Sequence, residues 1–152
     1  MSRRTAARSK ARAAARLAAT QALYQHEMEG TPLASLLHEF HQHRLGATIE
    51  DAEYAQADEA YFDDVVTGTL ARSDEINAAI AAKLNSDWSF DRLDKSMKAL
   101  LRAATYELLA RADTATGTVI SEYVDVARAF YEKREAGFVN GVLDAVAKDA
   151  RG

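Results

Sequence analysis

Phe138-Val139-Asn140-Gly141-Val142-Leu143 decides the fold class. By turn chemistry alone it is a β-hairpin, with Asn-Gly at the tip between two short apolar arms. Two features favour a helix instead. The arms are too short to be strands with partners, and an isolated hairpin is marginal in water. In addition, Val139, Val142, Leu143 and Val146 share one face at helical spacing. The segment from Phe138 to Lys148 therefore reads as a closing helix, and nothing else in the chain competes for a strand.

Outward from there, helical periods fill the sequence. Residues 8–29 predict a first helix, with Ala13, Leu17, Tyr24 and Met28 as its apolar stripe, Arg8, Arg12 and Arg16 on the other side, and Gly30 and Pro32 as the stop. Thr31 as N-cap and Pro32 at the first helical position open a second, carrying Leu33, Leu36, Leu37, Phe40 and Leu45 and closed by Gly46. The polar stretch 47–57 reads as a loop. Asp58 caps a third helix (Tyr61, Phe62, Val65, Val66, Leu70), and Ser73 starts a fourth through Ile76, Ile80 and Leu84. After the break at Asn85-Ser86-Asp87, Trp88 and Phe90 lead into a long segment ending near Arg111. A connector at Asp113 to Gly117, a helix through Val119, Tyr123, Val126 and Phe130, and a charged loop at Glu132 to Gly137 complete the chain. The expectation is an all-α bundle of about seven helices.

Composition agrees. The chain has 152 residues, 48% of them hydrophobic and 28% charged, with one proline and seven glycines. That is one domain, 1–152, with 1–8 as a flexible basic tail, large enough to remove roughly 70% of its unfolded surface from water. No cysteine is present, which excludes disulfides and thiolate zinc sites. The basic start leads into alanines and more arginines, unlike a secretion signal, and no run reaches membrane-spanning length, so a cytoplasmic protein is expected.

The net charge of −4 hides two opposite regions. Residues 1–26 carry six basic side chains and no carboxylate, whereas all 23 acidic residues follow, against 13 basic ones. A basic head on an acidic body points to a polyanion-binding end. Arg8, Arg12 and Arg16 step by four, each turned about 40° from the last, so with Arg4 they predict a guanidinium ladder along one helix side. Such forks bind phosphates bidentately and stack on unpaired bases, which suits single-stranded RNA. A merely solvated face would intersperse acids for i,i+4 pairs, and this one has none. The loop Tyr131-Glu132-Lys133-Arg134-Glu135 either extends that surface by stacking and phosphate contact or is an ordinary charged connector.

Chemistry of other kinds finds little support. His38, His41 and His43 lack the spacing of a zinc helix, and His43 points away from the other two. Neighbouring acids such as Asp63-Asp64 diverge by about 100° on a helix and cannot converge on one substrate atom. No phosphate loop or nucleophile elbow is present, and no metal, cofactor or catalytic residue is expected. Trp88 and the Tyr61-Phe62 pair read as core anchors.

Three segments resemble the NusB family of bacterial transcription antitermination proteins: Ala11-Arg12 through Gln21-Ala22-Leu23-Tyr24, Tyr61-Phe62 through Gly68, and Leu101-Arg102 with Tyr106-Glu107-Leu108 leading to Phe138-Val139-Asn140-Gly141-Val142-Leu143-Asp144. The resemblance implies a non-catalytic helical bundle that binds the single-stranded boxA element of nascent ribosomal RNA. It implies two protein partners, NusE (a small-subunit ribosomal protein) and the RNA polymerase antitermination complex. It assigns Arg8, Arg12, Arg16 and Tyr24, the aromatic of the QALY motif, to RNA contact, and Lys133 and Arg134 to a second RNA-facing loop. It places NusE near Trp88 to Arg102 and makes Gly141 a point of close helix approach. The loop before Phe138 is more basic than the family's usual form, and Met97 stands where some members carry a carboxylate. The same helical domain also fronts RNA cytosine methyltransferases, but neither a methyltransferase domain nor a glycine-rich cofactor loop is present here. A helical protein–protein adaptor or homodimer without direct RNA binding is the other alternative.

Overall fold

The computed structural model describes residues 2–43, 45, 57–85 and 89–152. Among these the chain is helical throughout, without a strand: α1 (Arg3–Glu29), α2 (Leu33–His43), α3 (Glu59–Ala71), α4 (Ser73–Ala81), a 3₁₀ turn at Phe90–Arg92, α5 (Lys95–Ala110), α6 (Thr116–Phe130) and α7 (Lys133–Arg151). Asn140 and Gly141 lie inside α7, so the hairpin signal is overridden by the apolar face it interrupts. Gly46, the stretch 47–56 and Trp88 lie outside the described residues. No described helix is long and apolar enough to cross a membrane.

α5 is the axis of the bundle. Leu100, Leu101, Ala103, Ala104 and Leu108 are all buried, and α1, α3, α4, α6 and α7 pack around it. A helix apolar on nearly every side belongs in the interior. Asp94 caps it, its carboxylate accepting the Met97 N–H at 2.8 Å. At the other end Arg151 satisfies the orphan carbonyls: its guanidinium donates to the backbone oxygens of Leu108 (2.9 Å), Glu107 (3.0 Å), Arg111 (2.9 Å) and Thr114 (2.7 Å).

α1 departs from expectation in two ways. It begins at Arg3, where Ser2 caps it by accepting the Thr5 N–H at 3.1 Å. Residues 3–8, expected as a flexible tail, are therefore its first turns, and Ala6, Ala7, Ala11, Ala13 and Ala14 make that extension cheap. Its buried face is also the opposite of the expected one. Ala15, Ala18, Ala19, Ala22 and Leu23 are interior, whereas Leu17, Tyr24 and Met28 are exposed. α5 supplies Ala99, Ala103 and Ala104 as buried residues, and small side chains let packed helices approach. The two run antiparallel, since Arg16 pairs with Glu107 and Glu27 with Arg102.

Gly68, not Gly141, is the point of close approach. A Cβ on Gly68 would fall inside the Tyr106 ring, while one on Gly141 would meet nothing within 4 Å. The Tyr106 ring lies on the α3 backbone, its hydroxyl donating to Asp64 at 2.7 Å. Beyond it Phe62 stacks on Phe40, ring centroids 5.5 Å apart, which holds α2 to α3.

Candidate nucleic-acid interface

The first three turns of α1 carry Arg3, Arg4, Arg8 and Lys10, all exposed. Among the described residues none of them has a carboxylate partner. The helix start adds its own partial positive charge, and no acid stands in the first turn to offset it.

One turn further on, the expected ladder stops. Arg16 is only 2% exposed and Glu107 is 0% exposed. The Arg16 Nε donates to Glu107 Oε2 at 3.0 Å, and its Nη2 donates to Glu107 Oε1 at 3.2 Å and to the Tyr61 hydroxyl at 2.9 Å. The hydroxyls of Tyr61 and Tyr123 both donate to the same carboxylate, and Glu122 stands 3.7 Å from the guanidinium. Burial alone would lower the Arg16 pKa, but the hydrogen bond and charge of Glu107 outweigh it and hold the group above its ordinary value. Burial, reinforced by the Glu107 charge, pushes the Tyr123 phenol well up and the Tyr61 phenol up. Arg16 is thus corrected from an exposed phosphate contact to a buried structural cation joining α1 to α3, α5 and α6.

Arg12 sits between these regimes, about a quarter exposed. Its guanidinium lies 4.6 Å from the Tyr61 ring centroid, with Arg16 at 5.1 Å and Arg111 at 4.3 Å from the same ring. Asp58 is 4.0 Å and Asp113 3.6 Å from Arg12. Arg111 pairs with Asp113 at 3.1 Å and with Asp64 at 3.3 Å.

The second basic candidate is not a loop. α7 starts at Lys133, so only Tyr131 and Glu132 connect it to α6. The Lys-Arg-Glu start lacks apolar spacing, but Ala136 and Val139 behind it are buried and anchor the turn. Lys133 is exposed and Arg134 is 92% exposed. Tyr131 turns inward: its hydroxyl donates to Asp94 at 2.7 Å and also meets Ser96. Burial and the neighbouring Asp94 raise its pKa to about 12, despite an opposing hydrogen bond with Ser96. Arg134 lines a groove of about 560 Å³ together with Arg92, Leu93, Asp94, Met97, Glu135 and Phe138.

Tyr24 lies elsewhere, on the outward stripe of α1. It lines a groove of about 420 Å³ with Gln21, Met28, Ser96 and Phe130. This apolar strip was masked in the sequence because its members read as core. Of the histidines, His41 pairs with Asp63 at 2.6 Å. Among the described residues no group of three His, Asp or Glu side chains is placed to hold a metal ion.

Comparison with known proteins gives these features a context. The transcription antitermination protein NusB of Sphingopyxis alaskensis is 67% identical over 144 residues, spanning 95% of this chain and 97% of that one. The same protein of Novosphingobium aromaticivorans is 67% identical over 142 residues, 93% and 96% of the two chains. Among solved structures, T. maritima NusB superposes with a TM-score of 0.75 at 29% identity, covering 93% of each chain. A structure of antitermination factors NusB and NusE in complex with dsRNA matches with a TM-score of 0.76 at 27% identity, covering 91% of this chain and 96% of that one. The family model described as NusB matches residues 13–148, and on this agreement of sequence and fold the chain belongs to the non-catalytic NusB family of transcription antitermination proteins.

Proposed function

We propose that the chain acts in the cytoplasm by binding the boxA element of nascent ribosomal RNA together with NusE, within the RNA polymerase antitermination complex. The observation that carries this reading is the basic start of α1: four exposed cations without carboxylate partners among the described residues on a body whose charge is otherwise acidic. Arg3, Arg4, Arg8 and Lys10 neutralise phosphates, with Arg12 next in line, while Arg16 holds the helix in place. Lys133 and Arg134 at the start of α7 supply a second contact. The sixteen residues of α5 span about 24 Å, and the start of α1 continues past Arg12 beyond them, so a single strand that touches both basic ends runs the length of the bundle. The acidic body suits a basic ribosomal protein, met through the segment 89–102.

The test is a titration with single-stranded boxA RNA, with and without NusE, over a range of salt. Neutralising about four phosphates gives a log K against log salt slope near −3. Affinity that ignores salt, or that survives Arg4→Ala with Arg8→Ala intact, contradicts the reading. A second reading, a protein–protein adaptor or homodimer without direct RNA contact, draws on the exposed Leu17, Tyr24, Met28 and Phe130. It predicts partner capture or self-association in RNA-free protein and no shift of single-stranded RNA.

A further inference from the structure

We infer that Asp113 is an intramolecular anion masking a phosphate-binding pair, Arg12 and Arg111, and that it thereby sets how tightly the chain holds RNA. The inference rests on the RNA-binding reading above and identifies a residue that tunes it.

Arg12, on α1, and Arg111, just past the end of α5, converge on one aromatic ring, their guanidinium carbons 4.6 and 4.3 Å from the Tyr61 centroid. A single oxygen, Asp113 Oδ2, reaches both, 3.6 Å from Arg12 Nη2 and 3.1 Å from Arg111 Nη2. The Nε atoms of both arginines are buried and have no hydrogen-bond partner among the described residues. The atoms that reach Asp113 are the Nη2 atoms of both side chains, and an arginine fork matches the paired oxygens of a phosphate better than one shared carboxylate oxygen. Stacking on Tyr61 fixes both planes in advance, which lowers the ordering cost of a ligand.

The other acids nearby have structural duties. Asp58 caps α3 by accepting the Tyr61 N–H at 3.0 Å, and Asp64 accepts the Tyr106 hydroxyl at 2.7 Å. Asp113 has no such duty: it is half exposed, on the connector between α5 and α6, and its ion-pair partners are these two arginines. With Asp113 ionised, two cations face three carboxylates, so a phosphate meets both a competitor and net repulsion. Without that charge the site is balanced. Arg12 lies four residues beyond Arg8, about 6 Å along the helix, so a strand held by the free basic start reaches this pair next.

The experiment follows fluorescence anisotropy of a labelled single-stranded boxA RNA across salt concentrations. It compares the wild type with Asp113→Asn, Arg12→Gln, both together, and Asp149→Asn, which removes a distant charge paired with Lys83. Asp113→Asn should bind about fivefold tighter at low salt, the effect of one unit charge near 4 Å in water. Its log–log salt slope should steepen by about 0.7, one added phosphate. In the Asp113→Asn background Arg12→Gln should erase the gain. Asp113→Ser repeats the test with a smaller side chain. A purely structural ion pair moves stability but not the salt slope. Unchanged or weaker binding by Asp113→Asn with an unchanged slope overturns the inference, as does an equal gain from Asp149→Asn. If neither wild type nor Asp113→Asn binds RNA, the RNA-binding reading itself falls and this inference with it.

Discussion

The two halves of one basic stripe on α1 have opposite fates. Arg4 and Arg8 project into solvent without carboxylate partners among the described residues, while Arg12 and Arg16, at the same four-residue spacing on the same helix, meet Asp58, Asp113, Glu107 and Glu122. Local sequence is nearly identical in the two halves. What differs, among the described residues, is whether the bundle extends past that turn: α5 ends and α6 begins beside Arg12, and the arginines before it are exposed. A run of arginines is therefore a nucleic-acid surface only as far as the body behind it stops supplying anions.

The largest effect is expected from Arg16→Ala. It leaves the Glu107 carboxylate buried with its two tyrosine donors but no cation, and orphaning a buried charge costs about 3–5 kcal/mol. Urea denaturation should show that loss, whereas the RNA salt slope of the folded fraction should stay as it is. A drop in slope with unchanged stability would mean that Arg16 faces RNA after all.

Alkaline pH attacks the same cluster without mutation. Tyr61 and Tyr123 are raised above their ordinary value by burial and by Glu107. Tyr106 is pushed up to about 12 by burial and its hydrogen bond to Asp64. The native state therefore keeps phenolic protons that the unfolded chain releases near pH 10. The stabilisation is fully present below pH 10 and is lost as pH climbs from there toward 12 and above. Thermal melting at pH 8 and pH 11 should show the decline, and Tyr123→Phe should flatten it.

How much of this was legible differs by element. The Asp58 cap, the helices through Leu108 and Val126, and helix over hairpin at Asn140-Gly141 followed from spacing and capping chemistry, which act within a few residues. The start of α1 did not, because Arg-Ala repeats carry no apolar period even though alanine favours helix. Nor did its inward face: large apolar residues were expected inside, yet alanines pack there and Arg16 joins them because Glu107, 91 positions on, receives it. Glu107 was visible as part of the Tyr-Glu-Leu motif, but no local signal names its partner. The charged start of α7 failed for the same lack of period, and the Arg134 candidate survived only as an exposed helical side chain.

The two glycines sharpen the point about partners at smaller magnitude. Gly68→Ala drives a methyl into the Tyr106 ring and so disturbs the Asp64 hydrogen bond beside Arg111; overpacking of this kind costs about 1–3 kcal/mol. Gly141→Ala, in open space within α7, should gain about 0.5–1 kcal/mol from helix propensity. Differential scanning calorimetry of the two variants should move in opposite directions. Equal losses would restore Gly141 as the close-approach residue.

Arg8→Ala is expected to have the smallest effect on the fold and the clearest on function. The residue is exposed and has no ion-pair partner among the described residues, so stability should stay within about 0.5 kcal/mol of the wild type, and alanine is the better helix former. Binding to single-stranded RNA should weaken at low salt, with the salt slope shallower by about 0.7 for the one phosphate lost. Arg12→Gln should move the slope far less, because in the resting protein its charge already faces Asp58 and Asp113. If the two substitutions reduce the slope equally, the boundary between free and compensated arginines does not fall between Arg8 and Arg12, and the exposed start of α1 ceases to define the RNA surface.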